Sequence, residues 1–246
     1  MTDETREELL ISVLADMLAG DRHVAVGAAS PIPGAAALLA KAEARDAGRR
    51  MQVSILHSRQ HNPFTAGSRE LFDLAARGAI DSFFLGGVQI DGQANINLVG
   101  IGDPPGSKKR FPGSFGSALM YYVVPKVILF REEHSPRTLV DKVDFVSAPG
   151  MSDPGVHRPG GPHALVTNRC VMDFDRTAGF RLRSVHGGET PETVRDATGF
   201  AFDIPGSVSE TPPPSKARLA RIRKNIAPQI LTFYPEFARR IWGIAA

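Results

Sequence analysis

Five glycine-bearing segments in the first two thirds of the chain place the strongest constraint on its fold. In order, they are Val26–Gly34, Phe84–Asp91, Asn95–Asp103, Arg110–Ser117 and Val143–Gly150. Each joins an apolar run to a turn in which only small residues allow the backbone to come close to a neighbouring group. Because glycine costs stability inside regular elements, its repeated use at strand ends indicates a site rather than a plain core.

The composition is that of a globular protein with room for a large core. The chain has 246 residues, of which 42% are hydrophobic and 22% charged. The net charge is only +3, and the densest basic stretch, Lys216–Lys224, has the spacing of an exposed helix face. The single cysteine, Cys170, excludes an internal disulfide. With no apolar run of about 18 residues and no N-terminal signal-peptide pattern, we expect a cytoplasmic protein that binds neither nucleic acid nor membranes.

Strands and helices alternate early in the chain, and strands dominate later. This pattern predicts an α/β domain over residues 1–210, with an open, mostly parallel sheet flanked by helices and an antiparallel portion. Residues 211–246 are predicted to form a proline linker, a C-terminal helix and an irregular tail that pack on the same domain.

The boundaries of the elements follow from periodicity, capping residues and breakers. Helices are predicted at Thr5–Ala19 with a Thr5–Glu8 capping box, at Pro33–Ala47, Ser68–Arg77 and Ser215–Ile226, and from Pro191 onwards behind Thr190 as N-cap. Strands are predicted at His23–Val26, Gln52–Leu56, Ser82–Leu85, Asn95–Ile101, Lys126–Phe130, Lys142–Val146, His163–Thr167, Val171–Phe174 and Phe180–Ser184, the last two as a hairpin. Asp103–Gly116 is predicted to be a loop.

Together and in this order, the five segments resemble the small (β) subunit of family I coenzyme A-transferases, especially the glutaconate CoA-transferase type. Glu189–Val194, Thr198–Phe200 and Pro212–Arg223 also look like later parts of that family. The resemblance implies the CoA-transferase (NagB/RpiA-like) fold and a homologous large (α) subunit as partner in an α2β2 heterotetramer. It also implies that an acyl-CoA and a small carboxylate are the substrates, with coenzyme A as part of the substrate and no permanently bound cofactor.

The same resemblance assigns the catalytic positions. In that family a small-subunit glutamate attacks the acyl-CoA and becomes a glutamyl-CoA thioester, while a glycine-rich loop supplies amides to the oxyanions. The matching loop here consists of Gly113, Ser114, Phe115 and Gly116, with Phe115 where a second glycine is typical. His57 stands at the glutamate position, and no Glu or Asp occurs between Asp46 and Glu70.

A histidine at the nucleophile position leaves several functions open. A neutral imidazole acts as a general base near neutral pH, whereas a carboxylate forms an anhydride and a thioester. The alternatives are therefore a transferase, an acyl-CoA hydrolase or ring-cleaving hydrolase on the same fold, and a non-catalytic subunit that completes a site on the large subunit. His57 and His61 have the spacing of helical metal ligands, but Pro63 argues against a helix, so no metal site is predicted.

The remaining candidate residues have two interpretations each. Gly86 and Gly87 either form a wall of the site or relieve crowding, and the first is favoured because Gln89 and Asn95 lie nearby. Lys108, Lys109 and Arg110 either attract the phosphates of coenzyme A or belong to an exposed loop.

Overall fold

The computed structural model describes residues 4–103 and 105–244. The chain divides into two compact units. The first comprises Met1–Leu71, Ala79–Phe84 and Pro212–Ala246, and the second comprises Phe72–Gly78 and Leu85–Thr211. Residues 1–210 thus contribute to both units, and the boundary at residue 210 stays a prediction.

The elements are numbered in chain order. The helices are α1 (Arg6–Met17), α2 (Pro31–Asp46), α3 (Ser68–Ala76), α4 (Ser117–Val123), α5 (Pro191–Asp196), α6 (Lys216–Arg221), a π-helix (Ile222–Ile226), α7 (Ala227–Leu231) and α8 (Pro235–Trp242). The strands are β1 (His23–Val26), β2 (Gln52–Ile55), β3 (Ser82–Leu85), β4 (Gln89–Ile90), β5 (Ile96–Asn97), β6 (Gly100–Ile101), β7 (Lys109–Arg110), β8 (Lys126–Arg131), β9 (Pro162–Thr167), β10 (Cys170–Asp175), β11 (Gly179–Val185) and β12 (Ser209–Glu210). None of the helices in the described ranges is long and apolar enough to cross a bilayer.

Parallel strands form the centre of the first unit. β1 pairs in parallel with both β2 and β3, and its four residues are all buried. In the register with β2, Val26 lies opposite Ile55. The alanine-rich helix α2, which follows β1, buries most of its first ten residues. This βαβ arrangement matches the strands and helix predicted from the sequence.

A buried ion pair joins the N-terminal helix to the C-terminal segment within this unit. The capping box at Thr5 and Glu8 is present, and the Glu8 side chain is fully buried. Its carboxylate accepts hydrogen bonds from Arg223 Nε and Nη2, both at 2.7 Å, and from Trp242 Nε1 at 3.2 Å. Burial alone would raise the pKa of Glu8, but the hydrogen bonds from Arg223 and Thr5 outweigh it and hold the pKa below its usual value.

The prediction of an irregular tail after Ile226 is wrong, because α7 and α8 both lie there. Pro228 and Pro235 stand in the first turn of these two helices. Proline is tolerated at that position because its missing N–H has no partner inside the helix. Pro235 therefore starts a helix rather than ending one, whereas Pro228 lies in a helical run that continues from the π-helix into α7.

The second unit combines parallel and antiparallel pairing. β8 pairs in parallel with β9, β9–β10–β11 form an antiparallel run, and β12 pairs in parallel with β11. The predicted hairpin is confirmed as β10 and β11, with Asp175 accepting hydrogen bonds from the amides of Thr177 and Ala178 in the turn. The predicted fold class, a mostly parallel sheet with helices and an antiparallel portion, is confirmed.

Two predicted strands of this unit are wrong. Asn95–Ile101 is interrupted because Asn97 Oδ1 accepts hydrogen bonds from the amides of Val99 and Gly100, which turns the chain. The two halves, β5 and β6, pair with β4 and β7, so the predicted loop at Asp103–Gly116 also contains a short strand. Lys142–Val146 forms no strand because Asp144 uses its amide and its carboxylate to bind Gln89 and Gly102.

The buried ion pair predicts a pH-dependent loss of stability in Glu8→Gln. In this variant Arg223 would keep a hydrogen-bond acceptor but would lose the negative charge opposite it. The Arg223 side chain is 38% exposed, so water partly compensates for that loss. We therefore expect the free energy of unfolding, measured in urea at pH 7, to fall by about 1–3 kcal/mol. The folded-state pKa of Glu8 is depressed, so its contribution is present above the unfolded value of 4.5 and is lost as the pH falls through the folded value. The difference in unfolding free energy between Glu8→Gln and wild type should therefore become smaller below pH 4.5.

Glu7→Gln, in the same helical turn, is the matched control and should leave the unfolding free energy within about 0.5 kcal/mol of wild type. A loss in Glu8→Gln that is equal at acid and neutral pH would contradict the proposed role of the charge.

Candidate functional site

His57 lies in the turn that follows β2, at the carboxyl end of the strand. Its side chain is exposed, and its imidazole stacks on the ring of Tyr234, with centroids 5.1 Å apart and an interplanar angle of 12°. Val26 and Ile55 lie opposite each other in parallel strands, so the turns after β1 and β2 leave from the same edge. In open α/β sheets this edge is where ligands bind.

The turn that carries His57 is held by its neighbours. Ile55 donates its amide to the His61 carbonyl at 2.9 Å, and the His61 amide donates to Ser58 Oγ at 3.1 Å. Asn62 Nδ2 donates to the Leu56 carbonyl at 3.2 Å. The position of the His57 backbone therefore does not depend on hydrogen bonds of its own imidazole.

His61 faces a different environment from His57. It is half-buried and packs edge-on against Phe233, with ring centroids 6.2 Å apart. Burial lowers the pKa of His61, and the charge of Lys41 lowers it further. Within residues 4–103 and 105–244, no group of three or more His, Cys, Asp or Glu side chains is placed to hold a metal ion.

Tyr234 links the turn after β2 to the turn after β1. Its hydroxyl donates to the Ala28 carbonyl at 2.5 Å and accepts from the Ser30 amide at 3.3 Å. Sequence reasoning missed Tyr234 because it lies in a segment that was predicted to be irregular and is far along the chain from both turns. No local pattern marks such a contact.

The predicted oxyanion loop, Gly113–Gly116, lies in the second unit and leads into α4. Gly116 has φ +65° and is the N-cap of α4, while Gly113 has φ +148°. The backbone of Gly116 packs so closely on the ring of Phe72 that an added Cβ would overlap with it. Phe115 is 78% exposed, and its ring lies 5.7 Å from that of Phe72. The loop is thus shaped by two glycines and one buttressing aromatic ring.

Gly86 and Gly87 are places of close backbone approach. A Cβ at Gly86 would lie 2.6 Å from the Phe130 carbonyl oxygen, and one at Gly87 would lie 2.6 Å from that of Gln89 and 3.0 Å from that of Asn97. The close approach of these backbone oxygens therefore explains why both positions are glycine. Their part in a site wall stays a prediction.

Gln89 and Asn95 use their polar ends inside the fold. Gln89 Oε1 accepts from Asn97 Nδ2 at 2.8 Å and from the Asp144 amide at 3.0 Å. Asn95 Nδ2 donates to Asp91 Oδ2 at 3.1 Å, and Asn95 Oδ1 accepts from the Gly150 amide at 3.1 Å. These contacts fix the loops of the second unit, and contact with a substrate stays a prediction.

The basic residues Lys108, Lys109 and Arg110 are exposed. Lys109 and Arg110 form β7, and Lys109 Nζ lies 5.1 Å from the centroid of the Phe111 ring. All three belong to the second unit, as do Gly86, Gly87, Gln89, Asn95 and Gly113–Gly116, whereas His57 and Tyr234 belong to the first. Lys109 and Arg110 therefore lie on a short paired strand rather than in an unstructured loop, and Lys108 directly precedes that strand.

The family's model for coenzyme A transferase matches residues 8–196 of this sequence. The chain belongs to the coenzyme A transferase family. Among curated proteins, the B subunit of 3-oxoadipate CoA-transferase from Pseudomonas knackmussii is 36% identical to this chain over 59% of the chain's length. The chain is 35% identical to the B subunit of glutaconate CoA-transferase from Acidaminococcus fermentans over 59%, and 30% identical to the cholesterol ring-cleaving hydrolase IpdB subunit of Rhodococcus jostii over 66%. The matches span 58%, 56% and 66% of these relatives' own lengths, which is less than two thirds of each.

Solved structures share the fold of this transferase-family chain over nearly its whole length. The glutaconate coenzyme A-transferase of Acidaminococcus fermentans superimposes with a TM-score of 0.79 at 25% identity, covering 94% of this chain and 98% of that one. IpdAB of Rhodococcus jostii gives a TM-score of 0.79 at 24% identity, covering 99% and 100%, and the decarboxylase AibA/AibB gives 0.76 at 23%, covering 98% and 100%. The family predicted from the glycine segments is therefore confirmed, together with its fold.

The close packing of Gly116 predicts that this position accepts no side chain. Gly67 has nearly the same backbone conformation, with φ +64° against +65°, but open space around it. We expect Gly67→Ala to cost about 1 kcal/mol for the left-handed backbone alone. Gly116→Ala should cost about 1–3 kcal/mol more, because Phe72 must move. Urea unfolding of the two variants measures the difference, and equal losses would show that contact with Phe72 does not shape the loop.

Proposed function

We propose that this chain is the small (β) subunit of a CoA-transferase-like enzyme that acts on an acyl-CoA and a carboxylate. The family match over residues 8–196 carries this proposal, and two of the curated relatives are named as the B subunits of CoA-transferases. The partner is a homologous large subunit in an α2β2 heterotetramer, and coenzyme A takes part as substrate rather than as a bound cofactor. The enzyme works in the cytoplasm.

In this proposal transfer proceeds without a glutamyl-CoA intermediate, because His57 stands at the glutamate position. The acceptor carboxylate attacks the thioester carbonyl and expels coenzyme A as a thiolate, which leaves a mixed anhydride. The thiolate then attacks the acceptor's carbonyl carbon and releases the donor as a carboxylate. A hydrogen bond donated by the His57 imidazole would stabilise the negative charge that develops during these steps.

The histidine favours hydrolysis as a second candidate function. In this reaction, His57 takes a proton from water as the oxygen adds to the thioester carbonyl, and coenzyme A leaves with that proton. The relative from Rhodococcus jostii is named a cholesterol ring-cleaving hydrolase subunit and shares the fold of this chain, so the name of one relative already describes a reaction with water rather than a transfer. Hydrolysis needs no carboxylate nucleophile on the enzyme, so it fits the absence of Glu and Asp between Asp46 and Glu70.

The deciding experiment uses the chain co-purified with its large subunit. A panel of acyl-CoAs is incubated with and without acceptor carboxylates in ¹⁸O-labelled water, and the products are analysed by mass spectrometry. A new acyl-CoA that forms only with an acceptor supports transfer. Labelled acid and free coenzyme A that form without an acceptor support hydrolysis, and no reaction with any acyl-CoA contradicts both functions.

We expect His57→Ala to lower kcat/KM by about 10²–10⁴, because a general base or a group that stabilises developing charge contributes a factor in this range. The complex with the large subunit is assayed with the best acyl-CoA from the panel. Arg59→Ala, an exposed neighbour in the same turn, is the control and should stay near wild type. Full activity of His57→Ala would instead favour a small subunit that completes a site whose catalytic group lies on the partner.

The three exposed cations should attract the phosphates of coenzyme A. For Lys108→Gln/Lys109→Gln/Arg110→Gln we expect KM for the acyl-CoA to rise about fivefold at low salt, equivalent to about 1 kcal/mol, with kcat unchanged. Arg49→Gln/Arg50→Gln/Lys216→Gln removes the same charge elsewhere and is the control. An acyl-pantetheine, which lacks the nucleotide phosphates, should show no such rise, and an equal rise for both substrates would contradict the assignment.

A further inference from the structure

Tyr234 stands where three features of the first unit meet. Its ring faces the imidazole of His57, its hydroxyl holds the backbone at Ala28 and Ser30, and its own backbone closes the junction between α7 and α8. The family model ends at residue 196, so nothing in that match assigns a role to this segment.

The ring of Tyr234, which is the platform on which the His57 imidazole stacks, is held rigidly. The Tyr234 amide donates to the Ile230 carbonyl at 2.7 Å, and the Tyr234 carbonyl accepts from the Ala238 amide at 3.0 Å. The ring of Phe233, which is buried, packs edge-on against it with centroids 5.0 Å apart. Backbone, ring and hydroxyl of Tyr234 are therefore all fixed, so the surface that it offers to His57 has one orientation.

An exposed imidazole without such a surface would sample several rotamers. Stacking at 12° confines the ring plane while leaving both nitrogens at its edge, where hydrogen bonds to a substrate form. Proton transfer requires a heavy-atom distance of about 2.6–3.2 Å, so orientation of the ring decides whether the imidazole acts.

We infer that Tyr234 is a positioning residue for His57: its ring orients the imidazole, and its hydroxyl ties the turn after β1 to the same platform. The part of this inference that concerns turnover rests on the proposed function of His57. The stack itself does not, and the two parts are measured separately.

Two variants divide the contributions of ring and hydroxyl. Tyr234→Phe keeps the stack and loses the hydrogen bonds to Ala28 and Ser30, whereas Tyr234→Leu loses both. Phe237→Leu, on α8, is the matched control, because Phe237 is buried against Trp242 in the same segment. This control creates the same kind of packing defect at a ring that packs on Trp242 rather than on His57.

The first measurement is the ¹H–¹³C NMR spectrum of the imidazoles in the full chain, with the His57 signals assigned from His57→Gln. Tyr234→Leu should move the His57 ring protons downfield, since the ring current of the stacked partner is lost. Tyr234→Phe and Phe237→Leu should leave them in place. Unchanged His57 signals in Tyr234→Leu would overturn the inference whatever the enzyme does.

The second measurement is steady-state kinetics of the complex with the large subunit. We expect Tyr234→Leu to lower kcat by about tenfold or more with little change in KM, and Tyr234→Phe to restore most of it. In the His57→Gln background the same change should have no further effect, because it acts through His57. An equal loss in Phe237→Leu, or full additivity with His57→Gln, would show a structural role only and overturn the inference.

The two measurements separate the inference from the proposed function. A shifted His57 signal, together with full activity in both Tyr234→Leu and His57→Gln, would leave the stack standing but remove His57 from the reaction. That outcome would overturn the role of Tyr234 in turnover and the proposed role of His57 at once.

Discussion

The in-register parallel pairing of β1 with β2 is the constraint on which the candidate site at His57 depends. Buried polar groups reinforce it, since His23 Nε2 lies 2.8 Å from Ser54 Oγ and His23 Nδ1 lies 3.0 Å from the Ala79 carbonyl oxygen. Burial between the strands lowers the pKa of His23 below its usual value. A slip by one residue would disrupt the contact between His23 and Ser54 and would also shift the two turns that Tyr234 joins relative to each other.

The C-terminal segment of the first unit contributes both to its stability and to the position of His57. Arg223 pairs with the buried carboxylate of Glu8, and the π-helix that carries Arg223 belongs to the same run of helical turns as α7. Tyr234, a little further along, reaches the edge where β1 and β2 end. The polar anchor therefore holds in place the segment that supplies the aromatic platform, and so stability and the orientation of His57 depend on one piece of chain.

Local signals in the sequence predicted what local physics decides. The bounds of β1 and the caps at Thr5 and Thr190 follow from short-range patterns, and the structure has them as predicted. The side chain of Asn97 ends a predicted strand by accepting a hydrogen bond from the backbone, and the alternation of hydrophobic residues gives no sign of such a bond. The place of His57 after β2 was predictable, but its partner Tyr234 was not, because the stack is created by tertiary folding alone.

Histidine and glutamate place different demands on the structure around them. A glutamate nucleophile is held by the covalent bond that it forms, so the intermediate itself preserves its alignment. In the proton-transfer and charge-stabilising roles proposed for His57 the imidazole forms no covalent bond to the substrate, so its surroundings must align it during the reaction. His57 is exposed and sits in a turn whose hydrogen bonds fix its backbone only. Its ring therefore needs an external support, and the fixed ring of Tyr234, with its hydroxyl bonded at both Ala28 and Ser30, supplies one without using either imidazole nitrogen.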